Sequence, residues 1–169
     1  MLTLLASSIP DRANRESGIA CFSSRKDSIL MWSHYAEFHK GVVIGYKTKQ
    51  LPELTPVRYS NKRYSVPIYQ DKEPEWAKHL LATKFSDWAY EREWRCLVSA
   101  NRLKTSDNGS FLVLVHQPKM ISCIYMGIRV DATLRTECEY FAKNHRACEL
   151  YQASCHPTEF ALEFNRVDA

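Results

Sequence analysis

Segments with strand character come in runs along this chain, and that order constrains the fold more than any other feature. "IACFS" at 19–23, "VVIGY" at 42–46 and "VRYS" at 57–60 precede a further strand near Arg92 to Val98. "SFLVLV" at 110–115 and "ISCIYMGI" at 121–128 follow, and "ELYQA" at 149–153 and "FALEF" at 160–164 finish the chain in extended form. Short apolar runs rich in Val, Ile, Tyr and Phe suit strands buried on at least one face. Helical patterns interrupt them at three places. Asp27 or Ser28 caps a helix reaching about Phe38, with Gly41 as its left-handed exit. Pro74 opens a second, with Trp76, Leu80 and Lys84 on one stripe and Ala77, Leu81 and Phe85 beside it. A third runs from about Ala132 to Asn144. Because strands do not alternate strictly with helices, the expected class is α+β: a mixed or mostly antiparallel sheet with two or three packed helices. "LPELTP" at 51–56 reads as a break in the pattern.

The 169 residues show no internal repeat, low-complexity tract or Gly/Ser linker, so a single domain spanning 1–169 is expected. No apolar run approaches the ~20 residues of a membrane span. The opening "MLTLLASS" is short and lacks a preceding basic segment, so it reads as neither signal peptide nor anchor. A cytoplasmic protein with no membrane partner is the expectation. The six cysteines include no C-x-x-C pair, which disfavours a zinc ribbon or a thioredoxin-like site and leaves them as small hydrophobes. A net charge of +4 is too small to announce nucleic acid. Lys47, Lys49, Arg58, Lys62 and Arg63 do interleave with Tyr46, Tyr59 and Tyr64, but a solvated face explains that cluster more simply.

Two stretches carry candidate chemistry. "MWSHYAEFHKGVVIGY" at 31–46 is dense in polar rings, which need hydrogen-bond partners that Leu or Val would not. On a helix, Trp32, Tyr35 and His39 share one face and His34 lies opposite, so the two histidines diverge and a shared metal is not expected. His39 either closes the helix end or lines a site where Gly41 lets a ligand approach. "KFSDWAYEREWRCLV" at 84–98 is the sharper pattern. Strand alternation puts Glu91, Glu93 and Arg95 on one face and Arg92, Trp94, Cys96 and Val98 on the other. Paired carboxylates repel, and one titrates high unless a cation compensates. Trp94 is then core, and Glu93 is dispensable for folding. Both stretches are expected to wall one pocket. A surface salt ladder is the plainer alternative.

"CFSS…ILMWSHYAEFHKGVVIGY", "TKFSDWAYEREWRCLV" and "ISCIYMGI" together resemble the bacterial domain-of-unknown-function family 2971, related to abortive-infection phage-resistance proteins. The resemblance runs from about Ile19 to the C-terminus, with the W-S-H-Y-A…H-x-G and W-x-Y-E-x-E-W-R blocks in family order. Members of that family begin with a longer strand segment than the twenty residues preceding Cys21. The resemblance implies a phage-defence or toxin-type effector and brings no settled activity.

Three functions compete. In ADP-ribosyltransferases an E-x-E pattern ends a strand, and one glutamate stabilises the cation formed as the nicotinamide bond of NAD breaks. By that analogy Glu93 is the catalytic acid and Glu91 its helper. Phe22 and Ser23 form a binding edge, and Trp32, His34, Tyr35, His39, Gly41, Lys84 and Arg95 complete the cofactor site. A Mg²⁺-dependent nuclease using Asp87, Glu91 and Glu93 with Lys84 is the second. A non-catalytic module binding a small ligand, a nucleotide or a protein partner is the third.

Overall fold

A computed structural model of the chain describes residues 17–51, 53–63, 79–99, 104–105, 112–113 and 117–168. They form an α+β fold divided between two compact units, one built from residues up to Ser24 and from Pro52–Val115, the other from Arg25–Leu51 and His116–Ala169.

In the first unit, β1 (Ser17–Ser23), β6 (Glu93–Ser99) and β3 (Leu54–Pro56) form an antiparallel sheet with β6 in the middle. Strand β3 occupies the stretch read as a break. Pro56 is tolerated because β3 is an edge strand, where a missing N–H breaks no ladder. Strand β4 (Arg58–Ser60) pairs in parallel with β5 (Thr83–Phe85), and β7 (Lys104–Thr105) pairs with β8 (Leu112–Val113). The helix expected from Pro74 lies largely outside the described residues. Its expected last turn is strand β5, so Lys84 and Phe85 sit on a strand, not on a helical stripe.

Between β5 and β6, Ser86–Glu91 winds as a 3₁₀ segment and Arg92 turns left-handed at φ 47°. That turn stops the strand short of Glu91, although Glu91, Glu93 and Arg95 still gather in one cluster with Lys84. Trp94, expected to be core, is 37% exposed, whereas Glu91 and Glu93 are 3% and 6% exposed. Cys96 and Val98 are buried as expected.

In the second unit, the sheet order is β11 (Leu162–Val167), β10 (Glu149–Cys155), β9 (Ile121–Met126), β2 (Val42–Tyr46). Strands β9 and β10 run parallel, and helix α2 (Ala132–Asn144) supplies the crossover that parallel neighbours require. Asp131 caps α2, its carboxylate accepting from the Leu134 N–H at 2.8 Å. Cys138 and Ala142 of α2 pack on Ile121, Ile124, Met126 and Leu150, which form the core. Cys148 joins that cluster, so Cys96, Cys138 and Cys148 behave as the small hydrophobes expected, while Cys21 and Cys155 are exposed. All six cysteines are free thiols.

Helix α1 (Ile29–Tyr35) starts as expected, with the Ser28 hydroxyl accepting from the Met31 N–H. It ends three residues short of Phe38, and the left-handed residues are Glu37, Phe38 and His39, at φ 45°, 53° and 68°. Gly41 is not among them. Its role is close packing: a Cβ there would lie 3.2 Å from the Ala36 Cα.

Candidate functional site

The acidic strand of the first unit gathers a compact charged cluster. From β5, the Lys84 ammonium donates to Glu91 Oε2 and, at 2.9 Å, to Glu93 Oε2. From β6, Arg95 Nε donates to Glu93 Oε1 at 2.8 Å and Nη2 to Oε2 at 3.3 Å, while Nη1 donates to the Leu81 carbonyl. The surrounding backbone is held as tightly. The Glu93 N–H donates to the Tyr59 hydroxyl at 2.8 Å, and Ser23 Oγ of β1 donates to the Glu91 carbonyl at 2.6 Å. Trp88 lies under the Lys84 ammonium, 4.9 Å from ring centre to Nζ. Two cations thus face two carboxylates.

The electrostatics follow from that pairing. Burial alone would raise the Glu93 carboxyl, but hydrogen bonds from Arg95, Cys21 and Lys84 outweigh it and hold the group down at about 2. Burial would lower Lys84 and Arg95; the carboxylates reverse both shifts and raise them. Burial pushes the Cys21 thiol up to about 11, assisted by the adjacent Glu93 charge. Lys84 and Arg95 thus supply at Glu93 the compensating charge that the paired-carboxylate pattern requires. Asp87 is exposed on the 3₁₀ segment, and among the described residues no group of three or more His, Cys, Asp and Glu side chains can hold a metal ion. Phe22 lies opposite Trp94 in the β1–β6 register.

The other expected site residues, Trp32, His34, Tyr35, His39 and Gly41, belong to the second unit. Trp32 is 1% exposed, and its indole N–H donates to the Lys26 carbonyl at 2.7 Å. His39 stacks on it, ring centres 6.1 Å apart and planes within 7°. Tyr35, expected beside them, is 63% exposed, because α1 ends there and the left-handed turn alone carries His39 back to Trp32. Its ring meets His34 edge to face.

The His39 tautomer follows from its neighbours. Ser33 Oγ donates its single hydrogen to the Ile29 carbonyl at 3.0 Å, so it accepts from His39 Nε2 at 3.3 Å. Nδ1 is then the unprotonated nitrogen, buried and with no hydrogen-bond partner among the described residues. Burial lowers the His39 pKa, and the Arg129 guanidinium adds to that. The His39 carbonyl accepts from the Arg129 N–H at 2.9 Å, and it runs so close to Gly127 that any Cβ there would collide with it.

The left-handed turn and the role of Gly127 were missed from sequence. The glycine of "YMGI" was the available signal for a close backbone approach.

The model of a family described as protein of unknown function, DUF2971, matches residues 31–96. That segment contains both motif blocks. No curated protein and no solved structure matches the chain.

Proposed function

We propose that this DUF2971 chain is a binding module whose E-x-E strand braces the first unit instead of splitting NAD. One observation carries the reading: both oxygens of Glu93 are already engaged by Lys84 and Arg95. Stabilising a developing sugar cation requires an uncompensated negative charge and a free carboxylate oxygen for a ribose hydroxyl. Here two cations neutralise two carboxylates, so NAD does not fit this cluster as it stands. The second unit supplies features suited to recognition. Tyr35 and Phe38 stand 63% and 70% exposed around a backbone turn of unfavourable hand. In the phage-defence setting implied by the family resemblance, such a module would hold a ligand or partner for another component.

The test is nicotinamide release from NAD by wild-type protein and by Glu93→Gln, with candidate acceptors present. The expected result is no release by either, together with a clear loss of stability in the variant. Release by wild type that disappears in a folded Glu93→Gln protein would overturn the proposal and restore the ADP-ribosyltransferase reading.

A further inference from the structure

Away from both motif blocks, the second unit has a groove of about 420 Å³ between the C-terminal end of α2 and strands β10 and β11. That volume falls within the roughly 300–1,000 Å³ typical of small-molecule sites. Its charged lining is Lys143 on α2, Arg146 in the following turn, Glu149 on β10, Arg166 on β11, and Asp168. Glu149 is engaged: its carboxylate accepts from the Tyr151 hydroxyl at 2.8 Å and lies 3.5 Å from Arg166 Nη1. Lys143 and Arg146 have no ion pair among the described residues. The helix dipole explains Lys143, since a cation is favoured in the last turn of a helix. It does not explain Arg146 beyond the helix end, or Arg166 across the groove.

We propose that this groove binds a small phosphorylated molecule, its phosphate held by Arg146 and Lys143 with Arg166 approaching from β11. A guanidinium fork matches phosphate geometry, and with Glu149 paired to Arg166 the cations Lys143 and Arg146 outnumber the remaining Asp168 carboxylate, which favours an anion. The cations surround one concavity on three elements instead of following the line that a continuous nucleic-acid backbone would need.

The test is an amide NMR titration of the full chain with inorganic phosphate at low ionic strength, compared with a single-stranded oligonucleotide. Shifts should concentrate at residues 143–150 and 164–168. The double variant Lys143→Ala/Arg146→Ala alters two exposed side chains and should weaken phosphate binding at least about tenfold. Lys49→Ala, an exposed cation outside the groove, should leave it unchanged. Absence of localised shifts, equal weakening by Lys49→Ala, or tighter binding of the oligonucleotide than of phosphate would each overturn the proposal.

Discussion

Replacing Glu93 by Gln keeps the size of the side chain and removes its charge, so it isolates the electrostatic part of the first unit's stability. The carboxyl is held at about 2 against an ordinary 4.5, and at 1.36 kcal/mol per pKa unit the difference corresponds to about 3 kcal/mol. The side chain is 5% exposed, so solvent screening takes little from that figure. Losing the charge also leaves Lys84 and Arg95 facing Glu91 alone, and breaking a buried pair costs about 3–5 kcal/mol. About 3 kcal/mol at pH 7 is the expected loss. The pH dependence follows from the depressed pKa. Between about pH 4.5 and 2 the unfolded chain binds a proton at this carboxyl that the folded chain does not. Wild-type stability therefore falls as the pH drops through that window, and the contribution is complete above it. Urea unfolding at several pH values should show the wild-type advantage full at pH 7 and shrinking below about pH 4.5. An advantage under about 1 kcal/mol at neutral pH, or one that does not narrow in acid, would refute the reasoning.

Gly127→Ala should cost about 1–3 kcal/mol in chemical denaturation, because the new Cβ meets the His39 carbonyl and lies 2.9 Å from the Gly41 carbonyl, and backbone must move. Phe38→Gly should stabilise by about 0.5–1 kcal/mol in the same assay, since relieving the left-handed cost outweighs the added chain entropy and Phe38 is 70% exposed. His39 has a folded pKa below its ordinary 6.5, so the unfolded chain gains a proton first and stability declines as the pH falls below 6.5. His39→Gln should flatten that part of the stability profile.

Much of the second unit was legible because its signals are local. Helix α2 was read to within a residue at both ends, and the strand at Val42–Tyr46 appears where its apolar run lies. The errors trace to single backbone residues in the left-handed region. Arg92 interrupts the strand between Glu91 and Glu93, yet both carboxylates still converge on Lys84 with Arg95 beside them; alternation does not foretell that this acidic side is buried and that Trp94 is exposed. Glu37, Phe38 and His39 adopt a conformation that their side chains disfavour, so residue preferences pointed to Gly41 instead. The sequence groups Lys84 with Glu91 and Glu93, but the direct pairing depends on β5 being a strand where the pattern reads a helical turn.

The two larger sheets are closed by partners from distant parts of the chain. Ser122 Oγ of β9 donates to the Gly45 carbonyl of β2 across 77 residues of sequence, and Ser23 Oγ of β1 reaches the Glu91 carbonyl across 68. A chain emerging from the ribosome would therefore present β1 and β2 with the partners seen here still unsynthesised, and neither sheet can zip from a local hairpin at its N-terminal strand. At typical translation rates of about 5–20 residues per second, those strands wait for seconds with open hydrogen-bonding edges. The pairing of β1 and β2 thus waits on β6 and β9, and until those are made both strands carry the open edges that other strands can join.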